Sequence, residues 1–417
     1  MMRVMIIGGG IGGLCLAHGL RGAGIDVGVY ERTRARTDWL QGYRIHINPD
    51  GCRALHRCLP ARGWAAFDST AGDAGGGFGF YDRRLRRLAL LEPEMLTPAA
   101  DDPVGRHRSV SRMRLREVLL DGLGEALHEG REFVRYEHTE DGRLRAHFAD
   151  GGTAVGDLLV GADGANSRVR QQYLPELRRF DTGVVAIAGR YPLTAESEAR
   201  LPVELTSGAA SILTPRSDSL FAATWRGGPR TGVGKAGSVD TGDYVLWGYS
   251  AARSAFPPDL HDLDGEALRA LVSERIDGWA DALRILVTGA DLASVNALAL
   301  KSMPTLRPWP STTVTLIGDA IHNMTPMAGI GANTALRDAA VLTRALTDAG
   351  PDDVLAAVTA YEEQMRGYAN RAIAQSLRNA RQAASDARLP RLAFGTTLKI
   401  AQAVPPLKRA LFAGLGS

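Results

Sequence analysis

Arg3-Val4-Met5-Ile6-Ile7-Gly8-Gly9-Gly10-Ile11-Gly12-Gly13, running on into Leu14-Cys15-Leu16-Ala17-His18-Gly19-Leu20, decides the fold class of this 417-residue chain. The short apolar run suits a strand buried on both faces, and the apolar spacing after the glycines suits a helix. Asp26–Tyr30 is again strand-like and ends at Glu31, so the chain opens on a βαβ unit. Gly8, Gly10 and Gly13 spell G-x-G-x-x-G on the strand-to-helix turn. A pyrophosphate needs that pattern: a tight turn, a bare backbone it can approach, and a helix N-terminus facing its charge. Glu31, 18 residues after Gly13, stands where a carboxylate can accept hydrogen bonds from an adenosine ribose. The order of strand, turn, helix, strand and acid predicts dinucleotide binding, without separating FAD from NAD.

Further along, strand-like runs lead into conspicuous turns twice more. Leu158–Val160 feeds Gly161-Ala162-Asp163-Gly164-Ala165-Asn166-Ser167-Arg168. Val314–Ile317 feeds Gly318-Asp319-Ala320-Ile321-His322, then Thr325-Pro326-Met327-Ala328-Gly329-Ile330-Gly331-Ala332-Asn333. Gly329 and Gly331 stand where a loop enters a helix, so their N–H groups can stabilise negative charge. Between these motifs the texture is different. From about residue 180, strands at Val184–Tyr191, Ala210–Leu213, Leu220–Arg226 and Tyr244–Ser250 predict an antiparallel sheet with glycine-rich connections at Gly227-Gly228-Pro229 and Gly232–Gly237. A β-ribbon is expected over Phe78–Leu90, and helices over Gly51–Leu59, from the Ser111 cap onward, over Gly265–Asp277 and over Trp279–Leu286. The expected fold is α/β: a Rossmann-like domain from residues 1–75, 100–178 and 290–350, an inserted β-sheet substrate domain from 76–99 and 179–289, and C-terminal helices over 351–417.

Composition narrows the function. The charge is +3 from 49 Lys+Arg and 46 Asp+Glu, which gives no electrostatic case for nucleic acid. The arginine groups Arg32, Arg34, Arg36 and Arg83, Arg84, Arg86, Arg87 read as solvated surface. Cys15, Cys52 and Cys58 match no zinc spacing or disulfide framework, so no metal is expected and a reducing cytoplasm fits. The N-terminal apolar run is too short for a signal peptide, and no stretch is long enough to span a membrane. Leu389–Leu415 is amphipathic, broken at Pro405-Pro406, and expected to pack on the body. Glycine, at 48 residues against ~29 at average usage, is the one outlier. About half the surplus sits in the three motifs. The rest, Gly72, Gly75, Gly76, Gly77 and Gly79 with Gly227, Gly228, Gly232, Gly234 and Gly237, reads as mobile loops around a pocket.

With Arg112-Met113-Arg114-Leu115 as an R-x-x-L helix start, the three motifs stand in order and at separations that resemble the class A flavin monooxygenases. These FAD-dependent aromatic hydroxylases include p-hydroxybenzoate hydroxylase and the tetracycline-inactivating flavoenzymes. The resemblance spans nearly the whole chain, and it implies FAD as cofactor and NAD(P)H as reductant, with no second dinucleotide fold and a flavin that moves between open and closed positions. One atom of O2 is expected to pass, through a flavin C4a-hydroperoxide, to an electron-rich aromatic or polyketide-like small molecule. The FAD contacts it implies are Gly8, Gly10, Ile11, Gly12, Gly13, Glu31 and Arg32 from the first motif, Arg112, Asp163, and Asp319. Pro326, Gly329, Gly331, Ala332 and Asn333 are implied beside the ring, Pro326 also as substrate wall. Departures are Thr325 where many relatives have a second proline, and Ile330 where they have glutamine.

Other residues are weighed individually. Arg44 and His46 lie on a segment that runs near the flavin in relatives and are the candidate catalytic side chains. His322 reads as structural or cofactor-proximal. Alternation groups Phe221, Ala223 and Trp225 on one strand face, and Val245, Trp247 and Tyr249 on another; Phe221, Ala223, Trp225, Trp247 and Tyr249 are candidate substrate contacts. A monomer or homodimer is expected. Baeyer–Villiger oxidation or epoxidation, or a redox-silent FAD scaffold for ligand binding or cyclisation, remain alternatives. A plain NAD dehydrogenase leaves two motifs without purpose, and the tryptophan signature of flavin halogenases is absent.

Overall fold

The computed structural model describes residues 2–412 apart from 34–43, 74, 93, 94, 96–101, 103, 216, 228–241, 351, 352 and 386. Arg34, Arg36, Tyr43, Gly228, Pro229, the stretch Gly232–Gly237 and the end of Leu389–Leu415 therefore lie outside the described residues.

Arg3–Ile7 forms a strand because its branched apolar side chains are buried on both faces, and it sits in a five-stranded parallel sheet. The order is Val314–Leu316, Leu158–Gly161, Arg3–Ile7, Asp26–Glu31, Leu127–Glu129. The helix Ile11–Gly22 packs on this sheet through Leu14, Leu16 and Leu20, all fully buried. It shares one large core with the helices Gly331–Ala349 and Val354–Ala384 and with a three-stranded meander contributing Phe133, Leu144 and Phe148. The chain leaves the first strand toward Asp26–Glu31 on one side and later fills the other side with Leu158–Gly161 and Val314–Leu316. The order therefore reverses beside the first strand, the place where open α/β sheets form a ligand crevice.

A seven-stranded sheet is built from Asp291–Ser302, Phe180–Leu193, Asp243–Ala252, Asp218–Trp225, Ala209–Leu213, Phe78–Asp82 and Arg87–Leu91, in that order. Its pairings are antiparallel except one: Phe78–Asp82 runs parallel to Ala209–Leu213. One face is sealed by the helices Gly265–Arg275 and Asp281–Thr288, with Leu268, Val272, Ile276, Leu283 and Leu286 against the sheet. The other faces the helix Val354–Ala384 and the loop carrying Met327. Two last helices, Arg388–Ala403 and Pro405–Phe412, cover the Arg87–Leu91 edge through Leu398 and Phe412.

The glycine loop before Phe78 corrects an expectation. It is not loose: a Cβ on Gly75 would stand 2.6 Å from the Ser207 carbonyl oxygen, and one on Gly77 2.1 Å from that of Leu91. Both have positive φ, and Ala209 N–H donates to the Gly77 carbonyl at 3.1 Å. These glycines serve close backbone packing rather than motion.

Candidate cofactor and substrate site

The three glycine motifs meet at the carboxyl ends of three adjacent parallel strands. Gly8 follows Arg3–Ile7, Ala162 follows Leu158–Gly161, and Gly318 follows Val314–Leu316 by one residue. Backbone bonds tie the turns together: Ala162 N–H donates to Ile7 at 2.7 Å and Ile317 N–H to Gly161 at 2.9 Å. Glu31 closes the neighbouring strand and accepts from Gly9 N–H at 2.6 Å and Thr33 N–H at 2.8 Å.

Within the first turn the glycines answer to different demands. Gly8 has φ +113°, and a Cβ there would lie 2.3 Å from the Ala162 carbonyl oxygen; one on Gly13 would lie 2.2 Å from that of Gly8. Around Gly10 nothing stands within 4 Å. Gly10 caps the helix Ile11–Gly22 without a side-chain bond, and the first turn carries no acid. A bare glycine and free helical N–H groups facing open space fit a phosphate group. Arg116 reaches the Gly9 carbonyl at 3.3 Å. Ile11 is buried, whereas Arg32, after the second strand, and Arg112, at the start of the helix Arg112–Leu120, are exposed.

Asp163 accepts through Oδ2 from the N–H groups of Arg168 (2.8 Å) and Val169 (3.2 Å), while its Oδ1 is buried with no partner. Burial pushes this carboxyl above its usual range, against the pull of Ser167 and the backbone donors. An acceptor left open in the crevice fits a hydroxylated cofactor, since unpaired buried oxygens are costly. Asp319 is exposed at the first position of a short helix. Pro326 and Gly329 are exposed on the loop ahead of the helix Gly331–Ala349, where Ala332 stands in the first turn. Gly329 is left-handed, φ +66°, with no atom within 4 Å of a notional Cβ, and that helix too lacks a side-chain cap or first-turn acid.

Asn333 departs from expectation. Its amide is used within the chain: Nδ2 donates to the His46 carbonyl at 2.9 Å, and Oδ1 accepts from Asn48 N–H at 2.9 Å. It clamps the strand Arg44–Ile47 to the helix Gly331–Ala349, so its amide is already engaged within the chain. His322 is structural. It bonds Asp338 at 2.6 Å, and Asp338 also accepts from Gly318 N–H (2.7 Å) and Tyr368 Oη (2.5 Å), all buried. Burial lowers the His322 pKa, but the Asp338 charge and hydrogen bond outweigh it and hold the imidazole above its usual value. This network fixes the third turn from behind.

Arg44 and His46 share one face of their strand. The Arg44 Nε donates to Ser109 Oγ at 2.6 Å and its backbone N–H to Tyr244 Oη at 2.9 Å. Burial brings its pKa down to about 10, with Tyr244 opposing. His46 Nε2 bonds His107 Nδ1 at 2.8 Å. Burial first, then the Arg44 charge and His107, bring His46 down to about 3, so it is neutral at physiological pH and suited to positioning rather than to carrying charge.

The seven-stranded sheet divides the substrate candidates. Trp225 pairs across to Tyr244, and Phe221 to Gly248, so Phe221, Ala223 and Trp225 share the face of Tyr244, Leu246, Gly248 and Ser250. Ser250 lies 4.0 Å from the Met327 sulfur, which places that face toward the third motif. Trp247 and Tyr249 stand on the opposite face, fully buried against the helices, with Tyr249 bonded to Asp218 at 2.9 Å and packed on Phe256 and Trp279. They are core, not lining, because alternation separates them from Gly248 by one residue. The inner face carries a trough that no local motif announces. Phe221, Gly248, Ala188 and Asn296 form one cross-strand row, half-open where the small residues lie. The signal for it was available in the alternation of Gly248 with Trp247 and Tyr249. The missing datum was the strand register.

A family model described as an FAD binding domain matches residues 1–227 and 277–376. The chain is 31% identical over 373 residues to a dual O-methyltransferase/FAD-dependent monooxygenase of Phaeosphaeria nodorum, covering 82% of this chain and 40% of that protein. It is 30% identical over 352 residues to the FAD-dependent urate hydroxylase of Klebsiella oxytoca, covering 82% and 80%. The chain thus spans less than half the length of the dual-function relatives, at 40% to 45%. A solved structure of a candidate FAD containing monooxygenase from Photorhabdus luminescens is 44% identical, with TM-score 0.82 over 92% of this chain and 98% of that one. Klebsiella pneumoniae HpxO complexed with FAD and uric acid shares the fold at TM-score 0.79 and 23% identity, over 98% and 95%.

Proposed function

We propose that this chain, which belongs to the FAD-binding family of flavin monooxygenases, consumes NAD(P)H and O2 to place one oxygen atom on an electron-rich aromatic or polyketide-like small molecule. The observation that carries the reading is the small-residue trough of Gly248 and Ala188, on the sheet face that bears Ser250 beside Met327 of the third motif. Bound FAD would supply two-electron reduction by nicotinamide and the reaction with O2.

The chain's own residues would bind, orient and exclude water. Gly10 and the first turn of Ile11–Gly22 would hold the pyrophosphate, Glu31 the ribose, and Asp163 Oδ1 and Asp319 further hydroxyls. The uncapped N-terminus of Gly331–Ala349 would stabilise negative charge on the ring side, aided by the Arg44 guanidinium. Asn333, donating to the His46 carbonyl, would keep that strand against the helix. Trp225, Ala223 and Phe221 on one side of the trough, and Pro326 on the other, would wall off water. The domain division stated from the sequence, corrected so that Asp291–Ser302 joins the inserted sheet in which it pairs with Phe180–Leu193, a cytoplasmic location and a monomeric or homodimeric state belong to the same proposal.

The purified protein is expected to be yellow and to release FAD on denaturation. Phenols or polyketides should stimulate NAD(P)H oxidation together with O2 uptake. A Gly248→Leu variant, whose Cβ would already stand 3.9 Å from Ala188 Cβ, is expected to keep its flavin and raise KM at least about tenfold. A colourless protein that takes up no FAD contradicts the reading, and flavin without O2 uptake favours a redox-silent scaffold.

A further inference from the structure

Of the ten large apolar side chains that stand exposed among the described residues, five fall within one stretch of twenty: Leu392, Ile400, Val404, Leu407 and Leu411. They lie on the last two helices, Arg388–Ala403 and Pro405–Phe412. Their spacing, with exposed Thr396 between the first two, is close to four residues throughout and carries across the break at Val404. Each helix thus turns an apolar strip outward, and the two strips meet at the extended residue Val404. The inner side is already used: Leu398, Ala401 and Phe412 are buried, the first and last of them against the Arg87–Leu91 edge. A stripe left outward after the helices have packed is therefore not spare core.

Charge decides what covers it. Residues 387–412 contain Arg388, Arg391, Lys399, Lys408 and Arg409 and no acid. Lys408 is turned inward to Glu92 at 2.6 Å, while Lys399 and Arg409 are exposed and flank the stripe. A second copy of the chain on a two-fold axis would bring these cations against their own images. An anionic surface meets them with opposite charge, and apolar side chains bordered by Lys and Arg suit the headgroup boundary of a bilayer. No helix among the described residues is long and apolar enough to cross a membrane, so this contact lies in the plane.

The inner side of the same helices reaches the substrate face. Phe80 stacks on Phe412 (5.8 Å) and meets Phe394 edge-on (6.3 Å). Phe80 neighbours Phe78 (5.0 Å), and Phe78 neighbours Phe221 (6.4 Å), which begins the trough row. We propose that the helices Arg388–Ala403 and Pro405–Phe412 seat this protein on an anionic phospholipid surface, with the phenylalanine series running from the inner side of those helices to the trough. The seating is independent of the reading given for the activity.

Co-sedimentation of the full-length, flavin-loaded protein with phosphatidylglycerol/phosphatidylcholine vesicles, beside pure phosphatidylcholine vesicles, tests it without any turnover. The wild type is expected to bind the anionic vesicles and to be released by salt. Lys399→Gln and Arg409→Gln should each weaken binding about fivefold. Combined Ile400→Asn, Leu407→Asn and Leu411→Asn should weaken it at least about tenfold with flavin content and melting temperature unchanged. The two charge variants, which disturb no packing, carry the test if that triple variant melts early. Failure of the wild type to bind anionic vesicles, equal binding to both vesicle types, or a dimer in light scattering that the Asn changes dissolve in place of vesicle binding overturns the proposal. Missing monooxygenase activity in a protein that still binds vesicles leaves this inference standing and counts against the other.

Discussion

The first and third glycine turns lie in the same crevice, on either side of the second, and are built on opposite principles. In the first, Gly8 and Gly13 are forced by the protein itself, since any side chain would strike a backbone oxygen within 2.3 Å. In the third, a Cβ on Gly318 would meet only Ala335, with its Cβ at 3.1 Å, and the turn is held from behind by the Asp338 network, while Gly329 on the following loop has open space around it. One turn is shaped by steric necessity, the other by a buried polar anchor. Gly10 is the exception inside the first turn, with no neighbour to exclude a methyl group.

Substitutions sharpen that contrast. Gly8→Ala meets both a positive φ and the Ala162 carbonyl, and is expected to cost roughly 3–5 kcal/mol, read as a large drop in apoprotein melting temperature. Asp338→Asn removes the anchor of the third turn and should cost roughly 2–4 kcal/mol. It also carries a pH signature. His322 has a folded pKa above 6.5, so its contribution is full below 6.5 and fades as pH rises through the folded value. Melting temperatures across neutral and alkaline pH should show that decline in the wild type and a flatter profile in the variant; the same slope in both removes Asp338 from the anchor. Gly329→Ala should cost about 1 kcal/mol, from backbone conformation alone. Gly10→Ala is expected to change apoprotein stability by about 0.5 kcal/mol or less while weakening FAD retention about tenfold. Loss of stability without loss of flavin at Gly10 would reverse its place in the contrast.

Wild-type stability on the acid side tests the strand Arg44–Ile47. His46 titrates at about 3 when folded against 6.5 when free. The unfolded chain therefore binds the extra proton between those values, and stability should fall by up to about 1.4 kcal/mol per pH unit as pH drops through them. His46→Gln should flatten that limb in an acid titration followed by fluorescence.

The motifs were legible because each needs glycine at fixed places beside a strand, and that requirement is local. Parallel strands showed as continuous apolar runs for the same reason. What stayed hidden depends on partners far along the chain. Alternation put Trp247 and Tyr249 on one face but said nothing of which face, until Trp225 was seen opposite Tyr244. Asn333 read as a flavin contact, yet its amide partners are His46 and Asn48, more than 280 positions away. Gly75 and Gly77 read as flexible, and their constraint comes from Ser207 and Leu91. Asp338 gave no sign of a role, because its three partners converge only in the fold.

The clamp from Asn333 to the strand Arg44–Ile47 also bears on synthesis. A chain emerging from the ribosome makes the fingerprint turn first, but the neighbouring strands Leu158–Gly161 and Val314–Leu316 follow long afterwards. Asp338, which accepts from the third turn, comes later still. Contacts of such sequence separation close slowly and late. The crevice where the three motifs meet is thus among the last parts of this molecule to exist, and a cofactor held there would find its place only once nearly the whole polypeptide is made.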